Sequence, residues 1–146
     1  MSNPLAATSR RRLVLLAIGL ALLPVGFWLK YYRGGDEQWW ANNWGSSLAY
    51  EWFFMSLSLV VWPRRRAVVP VAIGVALATM MVEFGQLCQA PWLVAIRSTF
   101  VGRTVLGNSF SWWDLPAYPM ACALGAGLLL AAWPMRDRGS LPGTAE

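Results

Sequence analysis

Residues 83–118 read EFGQLCQAPWLVAIRSTFVGRTVLGNSFSWWDLPAY. The stretch starts inside one apolar run and ends inside another. Between them it places Glu83, Gln86, Arg97, Arg103, Asn108 and Asp114, most of the side chains in the chain suited to chemistry. The rest is apolar wall with basic anchors. This pattern predicts an all-α integral membrane protein with a polar site near one membrane face.

Composition agrees. Of 146 residues, 57% are hydrophobic and 13% charged, against about 25% charged in a soluble domain. So little charge leaves too few polar side chains to coat a water-facing surface. One domain is the most this length supports. The net charge of +5 sits in short clusters beside apolar runs, which excludes a nucleic-acid-reading stripe. There is no histidine, and no cofactor or metal set is expected. Cys88 and Cys122 read as small packing residues, with a single disulfide between them as the alternative.

Four spans are predicted, at about 13–29, 44–62, 68–88 and 115–133. They form one transmembrane domain, 13–133, between tails at 1–12 and 134–146. The first run follows Arg10, Arg11 and Arg12 and covers about 25 Å at 1.5 Å per residue, near the hydrocarbon thickness. A signal peptide is the alternative, but no small-x-small cleavage site follows. Pro63 and Arg64 to Arg66 close the second span. Pro116 falls in the first turn of the fourth, and Pro119 is a candidate kink. The tail after Arg136 and Arg138 is expected to be disordered.

Arg10 to Arg12, Arg64 to Arg66, Arg136 and Arg138 fall on one side of this topology. Lys30, Arg33, Arg97 and Arg103 fall on the other. The positive-inside rule then puts both termini in the cytoplasm. Trp28, Trp39, Trp40, Trp44, Trp92, Trp112 and Trp113 crowd the outer side. A bare loop from 89 to 113 is too long for so small a protein. Trp92, Leu93, Ile96 and Phe100 recur at helical spacing, so the chain is expected to form one short interfacial or re-entrant helix stopping near Gly102.

Glu83 and Gln86 share a helix face, which Thr79 extends. An acid inside a membrane span costs on the order of 2.5–3.5 kcal/mol and faces the protein interior. Glu83 is expected roughly 8 Å, and Glu51 roughly 10 Å, below the outer ends of their helices. Arg97 is expected to cap Glu83, with Gln86 filling a remaining hydrogen bond. Ser111-x-x-Asp114 fits a capping box at the start of the fourth span, and Asp114 is also placed to pair with Arg103.

The string Glu83-x-x-Gln86, then Arg97, then Leu106-Gly107-x-x-Phe110-x-Trp112-x-Asp114-Leu115-x-Ala117-Tyr118 resembles a bacterial family known as domain of unknown function 2809. More distantly, the order of Glu, Gln, Arg and Asp resembles VanZ-like membrane proteins, some linked to glycopeptide antibiotic tolerance. Those proteins carry N-x-x-G after the Asp, where this chain has Ala117, Tyr118 and Pro119. The resemblance implies that Glu83, Gln86, Arg97 and Asp114 act as one site.

The leading functional expectation is a binding module. Glu51, Glu83, Gln86, Arg97, Arg103 and Asp114 would hold the polar head of an envelope lipid or amphiphile, and membrane lipids are the expected partners. A structural or assembly protein using the same ion pairs is the alternative. A membrane-embedded acid–base enzyme lacks a nucleophile motif. Ligand identity, transport and oligomeric state stay open at this level.

Overall fold

The computed structural model describes residues 4–35, 37–107 and 110–133. Asn108 and the tail from 134, with Arg136 and Arg138, lie outside them. The described residues are helical, with no strands among them. The order is α1 (Pro4–Tyr31), α2 (Gln38–Trp40), a π-helical turn (Ala41–Gly45), α3 (Ser46–Val61), a 3-10 turn (Arg65–Ala67), α4 (Val68–Gly85), α5 (Pro91–Ser98), α6 (Phe100–Leu106) and α7 (Asp114–Ala132).

Among the described residues, three helical stretches are long and apolar enough to cross a membrane: Ala7–Tyr31, Arg65–Gly85 and Asp114–Ala132. Their apolar residues point outward as well as inward. Leu20, Ile73, Leu77, Leu124 and Leu128 are all exposed, a belt that suits hydrocarbon rather than water. α3 alone has 16 residues. It does not start at 44, because residues 38–61 run on as one helical rod through the π turn.

That turn has a local cause. Asn42, with its amide nitrogen turned towards α1, donates to the carbonyls of Leu29 (2.7 Å), Lys30 (3.2 Å) and Tyr32 (3.2 Å). These are carbonyls that the end of a helix leaves unpaired. Pro63 stops α3, and Arg64 N–H donates to the Trp62 carbonyl at 2.7 Å in the turn that reverses the chain.

α3 packs against α1, α7 and α4, and α7 also packs against α4. Met55, Leu59, Val68, Ala72, Val75, Ala76, Cys122 and Ala126 form the core where α3, α4 and α7 meet. Gly125 lets them close. A Cβ there would sit 2.7 Å from the Trp52 indole nitrogen, which donates to the Ala121 carbonyl at 2.8 Å. At the opposite end from residues 83–118, Arg11 lies over the buried Trp133 ring at 5.5 Å.

One short helix was expected between residues 89 and 113; the chain forms two there, α5 and α6. The break falls at Thr99, whose ψ of 155° leaves the helical region. Its hydroxyl accepts from Gly102 N–H at 3.0 Å, capping α6. Pro91 opens α5 at a position where its missing N–H costs nothing. α5 turns Arg97 inward and leaves Trp92 and Ile96 exposed. The α5–α6 lid is tied down on three sides. Arg97 reaches α4, Phe100 stacks on Phe27 of α1 at 6.3 Å, and Tyr50 OH of α3 donates to the Val105 carbonyl at 2.9 Å.

Candidate functional site

Glu83 lies in the last turn of α4, and it is 2% exposed. Its carboxylate gathers three donors from three directions. Gln86 Nε2 reaches Oε2 at 3.0 Å, one turn along the same helix. Tyr118 OH reaches Oε2 at 2.9 Å from α7. The Ser111 backbone N–H reaches Oε1 at 2.7 Å from the loop before α7. A carboxylate offers about four acceptor positions, so three donors nearly saturate it without any cation.

The loop that delivers Ser111 is held by aromatic packing. Phe110 rests on Phe84 of α4 at 6.1 Å and meets Trp112 edge-on at 4.9 Å. Before that loop, Gly107 has φ of 69° and ψ of −179°, a conformation essentially restricted to glycine. It also lies against Gln86, whose amide nitrogen would overlap a Cβ there.

Arg97 does not cap Glu83. Its two terminal nitrogens donate instead to the carbonyls of Gly85, Gln86 (3.4 Å) and Cys88 (3.1 Å). These lie at and just beyond the end of α4. The geometry is a C-terminal cap, in which a guanidinium fork satisfies orphan carbonyls and meets the negative end of the helix dipole. The side chain is 6% exposed and its Nε has no partner.

Glu51 is fully buried. Cys122 Sγ–H donates to its Oε2 at 3.0 Å, and its Oε1 has no partner. It does not share the depth of Glu83. On α7, Tyr118 touches Glu83 and Cys122 touches Glu51, and the two are one turn apart. On α4, Thr79 lies beside Glu51, one turn below Glu83. Both rulers place Glu51 about 5 Å deeper along the bundle. Cys122 and Cys88 are both free. Cys122 is buried and Cys88 exposed, so the alternative of a disulfide between them fails.

The expected capping box at Asp114 does not form. In that motif the acid would accept from Ser111 N–H, but Glu83 takes that donor. α7 begins at Asp114, and no side-chain cap bond precedes it. Asp114 Oδ1 is buried without a partner. The charges that act on it are Glu83 and Lys30. Arg103, expected as its partner, is exposed and donates to the Ser98 carbonyl at 3.4 Å.

The structure therefore gathers Glu83, Gln86 and Asp114, sets Glu51 one turn deeper, and keeps Arg97 as a clamp on α4. It leaves Arg103 outside. Tyr118 and Cys122 were missed as partners of the acids, although Asp114, Tyr118 and Cys122 stand four apart on one face of α7. The Ser111 amide and the nearness of Lys30 carry no such signal.

The furrow between α3 and α4 has a volume of about 610 Å³. Val71, Gly74, Val75 and Phe54 line its length, and Tyr50, Thr79, Val82 and Val105 close the end nearest the lid.

Apolar helices of membrane-crossing length, enclosing a polar network under a two-helix lid, suit a membrane-embedded protein. The chain belongs to the family described as Protein of unknown function (DUF2809), matched over residues 36–122. That range takes in Glu51, the Glu83 network, Arg97, the lid and the first half of α7. No solved structure matches the chain.

Proposed function

We propose that this protein is a four-span protein of a bacterial inner membrane that binds a phospholipid, head group at the lid end and one acyl chain in the α3–α4 furrow. The rod over residues 38–61 supplies the fourth span beside the three longer ones. α5 and α6 lie in the outer headgroup region among exposed Trp39, Trp40, Trp92, Trp112 and Trp113, and both termini are cytoplasmic. The distant VanZ-like resemblance fits an envelope role.

One observation carries the reading: the furrow ends beside the polar cluster. Thr79 lines its lid end, and Glu83 is one turn further along α4. Tyr50, also at that end, precedes Glu51. An apolar slot that ends next to a polar cluster suits an amphiphile.

Gly74 offers a clean test. A Cβ there meets nothing within 4 Å, so Gly74→Leu projects into the furrow and disturbs no packed neighbour. The expected result is loss of most co-purifying phospholipid, measured by native mass spectrometry, with helix content and detergent stability unchanged. Equal lipid retention in the variant and the wild type refutes the furrow as the binding site.

The structural reading is favoured by one fact, that Arg97 already ties α5 to α4. It predicts wild-type and Gly74→Leu proteins equally free of tightly bound lipid.

A further inference from the structure

We infer that the head group selected is a zwitterionic one bearing a primary ammonium, not an anionic one. The inference rests on the phospholipid reading and adds the chemistry of the head.

The cations near this cluster are Arg97, Arg103 and Lys30, and the charge of Lys30 acts on Asp114 without a hydrogen bond to its Oδ1. The terminal nitrogens of Arg97 are engaged with three carbonyls of α4 and the turn after it. Arg103 is exposed and bonded within the lid. Arg97 therefore presents no free fork to a phosphate monoester or a second negative charge, and Arg103 lies exposed, outside the buried cluster.

The polar atoms left over have the opposite character. Gln86 is 7% exposed. Its Nε2 donates to Glu83, which fixes the amide orientation and turns Oε1 the other way. That Oε1 has no partner. Asp114 Oδ1, in the field of Glu83, has none either. A buried acceptor without a donor is destabilising, and a ligand donor removes that cost.

Two open acceptors beside a nearly saturated carboxylate suit a group with several N–H donors and a positive charge. A primary ammonium has three such donors; a quaternary one has none. The Nε–H of Arg97 has no partner and suits a single phosphodiester oxygen. Ammonium and phosphodiester together make the head of an aminophospholipid.

The test uses the full chain purified in mild detergent. It is exposed to vesicles with equal parts phosphatidylethanolamine, phosphatidylcholine and phosphatidylglycerol. Bound lipid is then quantified by mass spectrometry against the bulk composition. A charge-assisted hydrogen bond predicts phosphatidylethanolamine enriched about tenfold over each of the others. Asp114→Asn and Gln86→Leu should each bring that ratio towards one.

Equal or greater enrichment of phosphatidylglycerol overturns the inference and leaves the furrow reading standing. So does phosphatidylcholine binding as well as phosphatidylethanolamine. No retained lipid of any class overturns both. The three-lipid competition needs only the wild-type protein, so a variant that misfolds does not block the decision.

Discussion

Gly107→Ala strikes the site from the backbone side, and its cost divides into two parts. The first is conformational. Gly107 has φ of 69° with extended ψ, where a Cβ costs on the order of 1–3 kcal/mol. The second is steric. The new methyl would overlap the Gln86 amide, which must move and so give up its bond to Glu83. Leaving that buried acceptor one donor short costs about 1–3 kcal/mol more. The sum is roughly 2–6 kcal/mol, large against the total stability of a small domain. The assay is reversible unfolding in mixed micelles, titrated with a denaturing detergent. A second background separates the two parts. In Gln86→Ala the amide is gone, so Gly107→Ala should cost only its conformational share there. The cycle should therefore show coupling of about 1–3 kcal/mol. A Gly107→Ala variant within about 0.5 kcal/mol of wild type would refute the assigned contact, as would a cost unchanged by Gln86→Ala.

Glu83→Gln keeps the shape but replaces one acceptor oxygen with a donor. At least one of Ser111 N–H, Gln86 and Tyr118 then faces an NH₂ group, and stability should fall by about 1–3 kcal/mol in the same titration. Arg97→Lys keeps the charge but not the fork, so the carbonyls of Gly85, Gln86 and Cys88 cannot all be reached. Backbone hydrogen exchange should rise in α5 and at the end of α4 while α1 stays protected; unchanged exchange in α5 would contradict the clamp. Cys88 is exposed and Cys122 buried, so a membrane-impermeant maleimide on intact cells should label one thiol, and Cys88→Ser should abolish labelling. Labelling only after the cells are opened would reverse the proposed orientation.

The helices were readable because apolar length and proline punctuation are local signals. Helix α4 and helix α7 fall within a few residues of their predicted ranges for that reason. The π turn was not readable. It exists to bring Asn42 onto the end of α1, a contact between segments that periodicity cannot report. The split of the interfacial helix had a local cue in Thr99, a residue favoured at helix caps, but the run Trp92, Leu93, Ile96, Phe100 masked it. In the site, Glu83 with Gln86 came directly from helical spacing. The Arg97–Glu83 pairing failed because opposite charge was the only partner considered. An orphaned helix end is as good a partner for a guanidinium, and its position depends on where α4 stops. Asp114 failed similarly, because Glu83 takes the amide that the capping box requires.

The site is better understood as two solutions to one problem. Glu83 and Arg97 are both buried at the end of α4, yet neither is the other's partner, and each draws on backbone groups. Ser111 N–H serves the acid, and the carbonyls ending α4 serve the base. A direct ion pair would have tied α5 to α4 through two flexible side chains. The observed arrangement ties three backbone segments instead: the end of α4, the end of α5 through Arg97, and the loop entering α7 through Ser111. Gly107 and Phe110 set that loop, and Tyr118 adds α7 itself. The motif residues Glu83, Gln86, Arg97, Gly107, Phe110 and Tyr118 thus belong to one frame, whose job is position. Asp114 and the far side of the Gln86 amide are what the frame leaves unpaired. Because everything around them is fixed by backbone contacts, those two acceptors are pre-organised, and a ligand meeting them pays little to order the site.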